Sequence, residues 1–326
     1  MYRREKSLTA KSSTSALCGN LSVFVNKEKN LLNYAVVHKS DVNIVSASTD
    51  GSTATHRQVS CKEPSAAYST VMVMQAKWVE LPVKTILVIT SQRGILMYEG
   101  DGSFMLYWHA VEGANDEGES SFARGISGFQ ENTVCVGTYT GEILVFDVPS
   151  RGTNVTLADV LKGHKTPVCD ITSDKDRLIS SDEEGTIVVW KCSKEKLQQA
   201  VRIKGSGYPC SSLAVWKDIV VGGYGSGHIR IFSITTGKMA AEVAAHARWI
   251  NSVDVSPDTG LVLSASEDSF VRVWQLSAGE VPEIQHKFSE CVTDLQLAGG
   301  QFIEPAGRAF CVTGYDSPEL VFFAKN

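Results

Sequence analysis

RLISSDEEGTIVVW, residues 177–190, and LVLSASEDSFVRVW, residues 261–274, are two copies of one device. Each opens on an apolar strand and crosses a tight polar turn holding Asp or Glu. Each then closes on a second, alternating strand that ends in an aromatic residue. The same shape recurs in ILVITSQRGILMY (86–98), VCVGTYTGEILVF (134–146), IVVGGYGSGHIRIF (219–232) and FCVTGYDSPELVF (310–322). A degenerate copy, LNYAVVHKSDVNIV (32–45), leads the series. The closing residues Val45, Tyr98, Phe146, Trp190, Phe232, Trp274 and Phe322 lie 53, 48, 44, 42, 42 and 48 positions apart. A period of roughly 40–50 residues with a hairpin in every unit marks a radial β array.

The bulk numbers agree with that reading. The sequence has 326 residues, 43% of them hydrophobic, and a formal net charge of −5. The charge gives no general pull toward nucleic acid or an anionic membrane. No apolar run approaches the roughly 20 residues of a membrane helix, so no membrane insertion is expected. Eight cysteines are present and none forms a C-x-x-C pair. Cys135 and Cys311 occupy equivalent apolar strand positions, as small buried hydrophobes do. With no secretory signal in view, a reducing, cytoplasmic location is expected.

Each unit reads as four strands, a to d from the centre outward. In the fourth unit these are 167–172, 177–181, 186–190 and about 197–203. The seventh unit has strands at 291–297, 309–315 and 319–323, after which the chain stops without an outer strand. An open edge is a liability. The basic, Ser-rich N-terminus, MYRREKSLTAKSSTS, has the composition of a transit peptide. Strand counting gives it another role: residues 3–10 complete the last blade and close the ring. The expected fold is therefore all-β, a single seven-bladed β-propeller. Its blades fall near 14–62, 70–109, 122–160, 167–203, 209–243, 250–288 and 291–323 plus 3–10. Residues 48–57, 111–121 and 297–308 read as long loops.

Gly163-His164, followed 26 residues later by Trp190, resembles the Gly-His to Trp-Asp frame of WD-repeat propellers. His246, 28 residues before Trp274, is a second match, with Ala245 in place of Gly. Lys191 and Gln275 stand where Asp is expected after Trp, whereas Asp147 after Phe146 keeps it. The resemblance spans essentially the whole chain and is strongest over 161–191 and 244–275. It implies a seven-bladed platform that binds proteins, usually without catalysis, and it names no partner.

His246, Ser264, Asp268 and Trp274 bring together the groups of a hydrolase triad. SASED lacks the strained, Gly-flanked elbow that exposes a nucleophile. The family resemblance implies instead a structural tie in which His, Ser, Asp and Trp bond to one another. The fourth blade offers His164, Ser180 and Trp190 for the same tie, with Glu184 at the Asp position and Asp182 nearby. Histidine spacing gives no metal site. The Gly-rich run 221–228 lacks the Lys and the strand-to-helix setting of a phosphate loop, so no cofactor is expected. The basic residues Lys191, Lys194, Lys196, Arg202 and Lys204 are interleaved with Glu195 and read as a solvated edge, so no nucleic-acid partner is expected.

In a propeller the b–c turns and d–a connections share one face. Alignment on the closing aromatic places Tyr139, Glu183, Tyr224, Glu267 and Tyr315 in those turns, and Arg248 and Trp249 in a connection. Glu112, Asp116, Glu117 and Glu119 fall in another connection. Tyr, Trp and Arg are enriched in binding hot spots. The expected function is a non-enzymatic scaffold or adaptor that docks other proteins there, on segments of basic and apolar character. A stoichiometric subunit of a larger assembly and a hydrolase acting at the channel mouth are the competing readings.

Overall fold

The computed structural model describes residues 1–49, 51–61, 71–111, 121–193, 196–279 and 281–325. Seven antiparallel sheets account for nearly all of them, and among the described residues there is no helix. In six sheets four consecutive strands pair in order, across 22–60, 73–110, 123–162, 168–203, 210–244 and 250–291. The seventh combines three C-terminal strands with two short N-terminal ones. This is a seven-bladed β-propeller. The chain falls into two compact units. One holds the first, fifth, sixth and seventh blades, and the other holds the second, third and fourth.

The repeated sequence produces repeated irregularities. In the third to sixth blades the pairing between third and fourth strands slips at the closing aromatic, at Phe146, Trp190, Phe232 and Trp274. A bulge there bends the outer strand and adds twist. The middle strands carry the core. Ile86–Ile89, Val134–Val136, Ile187–Val189 and Val271 with Val273 are at or near zero exposure. Both faces of such strands are covered, which is why their sequences are nearly continuous apolar runs rather than alternating ones.

In the three-blade unit the second and third blades share one cluster, including Ile86, Met97, Ile126, Val136 and Phe146. A second cluster joins the third and fourth blades through Cys135, Ile143, Val168, Leu178 and Trp190. In the four-blade unit Trp216, Ile231, Ile250, Val262 and Trp274 link the fifth and sixth blades. Leu263, Val273, Phe310 and Val321 link the sixth and seventh, and Tyr34, Val45, Cys311 and Leu320 link the seventh and first.

The N-terminus completes the seventh blade. Tyr2–Arg4 pairs antiparallel with the last strand, Tyr2 opposite Lys325 and Arg4 opposite Phe323. After a break at residues 5–7 the pairing resumes, Leu8 opposite Leu320 and Thr9 opposite Glu319. The Glu5 amide bridges the break, donating to the Phe322 carbonyl at 2.8 Å. Tyr2 is the anchor. Its ring lies 4.9 Å from Phe310 and 5.2 Å from Phe288, and its hydroxyl donates to the Gly307 carbonyl. Burial raises the Tyr2 phenol well above its ordinary pKa, with Glu304 adding to the effect.

Three sequence expectations need correction. The inner strand of the seventh blade is Leu297–Phe302, not 291–297. The segment read as the loop 297–308 therefore begins with that strand, and Cys291 ends the outer strand of the sixth blade, Glu283–Cys291. The glycines that suggested a loop serve close packing instead. A Cβ on Gly299 would lie 2.7 Å from the Asn20 backbone and from Leu21. The second correction is at 48–57, where Ala54–Ser60 forms the outer strand of the first blade. In the third, Glu283–Cys291 extends three residues beyond the expected end at 288. The acidic segment with Glu112, Asp116, Glu117 and Glu119 lies outside the described residues, as do Lys194 and Glu195.

Candidate functional site

The triad-like residues form ties inside the sheets. In the sixth blade His246 Nδ1 lies 3.0 Å from both Asp268 oxygens, and Nε2 lies 2.8 Å from Ser264 Oγ. The Trp274 indole N–H donates to the same Oγ at 3.0 Å. In the tautomer with the proton on Nδ1, that N–H donates to Asp268, Ser264 O–H donates to Nε2 and Trp274 donates to Ser264; the Arg272 guanidinium lies 2.8 Å from the same Nδ1 and donates to Asp268 at 3.3 Å. Burial pushes the His246 imidazole pKa down, more than the neighbouring carboxylate raises it. Burial also opposes ionisation of Asp268. Bonds from His246 and from the Ala247 and Phe270 amides more than compensate and hold its carboxyl below the usual carboxylate range.

The fourth blade repeats this tie with a different acid. His164 Nδ1 meets Asp182 Oδ2 at 2.8 Å, Nε2 meets Ser180 Oγ at 2.6 Å, and Trp190 donates to Ser180 at 3.0 Å. Glu184, expected at this position, is exposed, and only its amide takes part, donating to Asp182 at 3.1 Å. The cause lies in the turn. Ser266 occupies the equivalent place in the sixth blade and accepts the Asp268 amide at 3.2 Å. Asp182, with two oxygens, accepts amides on one and His164 on the other.

Neither set can perform nucleophilic chemistry. Ser264 and Ser180 have no exposed surface. Each hydroxyl oxygen is engaged by both an imidazole and an indole, so no carbonyl carbon can approach. Among the described residues no cluster of His, Cys, Asp or Glu has the makings of a metal site.

The turn residues are distributed unevenly. Tyr224, expected at the surface, is 1% exposed. The Arg230 guanidinium lies over its ring at 4.3 Å, and Glu242 pairs with Arg230 from the neighbouring strand. That pair lowers the Glu242 carboxyl. Tyr224 is therefore a covered packing residue.

In the three-blade unit Tyr139 is half-buried against Phe122, ring centroids 6.2 Å apart. It borders a groove of about 460 Å³ with His109, Glu142, Leu157 and Lys162. The charges there are already paired, Lys162 Nζ to Glu142 at 3.2 Å. Glu183 lies 3.7 Å from the Arg124 guanidinium.

In the four-blade unit Trp249, Glu267 and Tyr315 come together. They line a cleft of about 240 Å³ with Asn251 and Gln296. Trp249 arrives on the connection into the sixth blade, Glu267 and Tyr315 on the b–c turns of the sixth and seventh. The Glu267 amide donates to the Trp249 carbonyl at 3.0 Å, which fixes turn against connection. Gly225 makes room for the indole, since a Cβ there would lie 2.7 Å from the ring. Arg248 is exposed and does not line the cleft.

Ala298 and, from the N-terminal lead, Ala16 and Cys18 complete the lining, and sequence reasoning missed all three. That lead runs from the N-terminal strands into the first blade. Thr14 bridges to Tyr315, and the Gly19 amide donates to the Asn251 carbonyl at 2.7 Å. No local motif announces that placement. It follows only from the N-terminus being held on the seventh blade.

What distinguishes the cleft is the state of its polar groups. Neither the Glu267 carboxylate nor the Tyr315 hydroxyl has a hydrogen bond or ion pair with another described residue, and Tyr315 is 50% exposed. The Trp249 indole N–H is buried without an acceptor among the described residues. Most buried polar groups in folded proteins are satisfied, so an exception beside a cleft calls for a functional account.

Comparison with known proteins places the chain. It is 39% identical over 335 residues to WD repeat-containing protein 54 of Mus musculus, covering 99% of each chain. It is 38% identical over 341 residues to the Homo sapiens protein of that name, covering 100% of both. Among solved structures it resembles a chain of the mitotic checkpoint complex, with a TM-score of 0.75 at 17% identity, covering 98% of this chain and 94% of that one. It also resembles U3-55K, with a TM-score of 0.74 at 15% identity, covering 99% and 98%. Those likenesses concern the fold. WD-repeat propellers generally serve as protein-interaction scaffolds without catalysis. The WDR54 family model matches residues 1–325, and the chain belongs to that family.

Proposed function

We propose that this chain is a non-enzymatic interaction scaffold that docks partner proteins on its b–c turns and d–a connections. The cleft of Trp249, Glu267 and Tyr315 is the anchoring point. One observation carries the reading: an aromatic pair and a carboxylate border the same cleft with their polar groups unspent on the protein itself. By contrast, Glu142 in the third blade and Glu183 in the fourth are paired with Lys162 and Arg124. Aromatic anchors ringed by less critical contacts are the usual anatomy of a binding hot spot. We infer a cytoplasmic location, a reducing setting in which the eight cysteines stay as thiols.

Affinity capture from cell lysate tests the reading, comparing wild type with a variant carrying Tyr139→Ala, Trp249→Ala and Tyr315→Ala. The triple variant is expected to keep its β-sheet circular dichroism and lose its partners. Unchanged capture by the folded variant rejects this role for the turns.

A further inference from the structure

We propose that the cleft between the sixth blade, the seventh blade and residues 16–18 accepts a single basic side chain, Lys or Arg, from the docked segment. The inference rests on the docking reading above and specifies what that site recognises. Among the described residues that line the cleft, Glu267 alone is charged, and no basic residue faces it there. Among the described residues the Glu267 carboxylate has no hydrogen-bond or ion-pair partner, so an incoming cation displaces none of them. Indole and phenol rings attract ammonium and guanidinium groups through their negative faces, and Trp249 and Tyr315 supply both. A carboxylate next to aromatic walls is a better cation site than a carboxylate in open water, because the walls exclude part of the screening solvent.

The alternatives fail on the same lining. An acidic side chain would meet Glu267 with nothing to neutralise it. An apolar side chain would strip water from the carboxylate and return no hydrogen bond. A cofactor or drug-sized ligand needs roughly 300–1,000 Å³, whereas this cleft holds about 240 Å³. That space suits one long, unbranched side chain with a charged tip. The amide of Gln296 and the hydroxyl of Tyr315 remain available as acceptors for additional N–H groups.

The test uses the full chain on an array of short peptides with randomised flanks and a fixed central Arg, Lys, Gln, Glu or Leu. Arg- and Lys-centred peptides are expected to bind at least about tenfold better than the others, with the preference shrinking as salt is raised. Glu267→Gln should erase the preference while leaving the melting temperature unchanged, because the carboxylate makes no hydrogen bond or ion pair with a described residue. Glu131→Gln, the same chemical change on an exposed turn of the third blade, should preserve it. Best binding to Glu- or Leu-centred peptides, a basic preference that survives in Glu267→Gln, or no binding to any peptide overturns the inference. If the triple variant still loses capture while the array shows no basic preference, the docking reading stands and only this inference falls. If the triple variant keeps its partners, the docking reading itself is wrong.

Discussion

At the scale of single residues, the ties make the protein sensitive to acid. Burial lowers the His246 pKa, so below the ordinary imidazole value of about 6.5 the unfolded chain binds a proton that the folded chain refuses. Stability then rises with pH through that range, and it falls on acidification. Asp268 acts in the same direction further down, since its depressed pKa stabilises the fold above about pH 4 and that contribution is lost below. The melting temperature should decline as pH drops from 7 to 5, and His246→Gln should flatten that decline. A melting temperature that climbs between pH 7 and 5 contradicts the assignment. The fourth blade gives a sharper comparison. Asp182→Ala removes an acid that is 1% exposed and bonded to His164, Glu184 and Thr186. It should cost about 2–4 kcal/mol in urea unfolding. Glu184→Ala should stay within about 0.5 kcal/mol. Spacing from Trp190 pointed to Glu184 because it counts positions, whereas the tie is decided by which carboxylate also satisfies the amides of the turn. Tyr224 misleads for a related reason. A tyrosine in a turn reads as exposed until its cover, Arg230 held by Glu242, is seen across two strand pairings.

At the scale of elements, the pattern of apolar strand, polar turn and closing aromatic is legible because each hairpin is local. The inner strand of the seventh blade is not, because Leu297–Phe302 carries Gly299 and Gly300: Gly299 packs on Asn20 and Leu21, almost 280 residues away, and Gly300 on Ala265 of the sixth blade. The N-terminal strand is legible by elimination, since a blade ending at its third strand leaves an edge unpaired. Its importance to stability follows from what it buries. Tyr2 is 5% exposed and contacts Phe288 and Phe310, and Lys325 Nζ sits 4.8 Å from its ring centroid. Tyr2→Ala should cost about 3–5 kcal/mol, the usual loss for a buried aromatic. Removing residues 1–12 should lower the melting temperature further, because it also uncovers the edge of Glu319–Lys325. Scanning calorimetry checks both variants, and an unchanged transition in the truncated protein would show that another segment holds that edge.

At the scale of the whole molecule, a repeat architecture keeps damage close to its source, because each blade is supported mainly by its nearest neighbours. Two buried thiols report on this. Cys135 in the third blade and Cys311 in the seventh both have no exposed surface. Burial raises the Cys135 thiol to about 12 and drives Cys311 well above its ordinary value, so neither reacts while its blade is closed. Cys291, exposed at the end of the sixth blade, serves as an internal control that reacts at once. In the protein lacking residues 1–12, the seventh blade has lost its outer strands and the third has lost nothing. Pulsed alkylation across a urea series, read by mass spectrometry, should therefore label Cys311 at lower urea than Cys135 in the truncated protein. The same shift should appear, more weakly, in Tyr2→Ala. Should both cysteines become reactive together, with both moved equally by the truncation, the blades would be failing as one cooperative body. In that case the N-terminal strand would stabilise the entire molecule rather than the blade it completes.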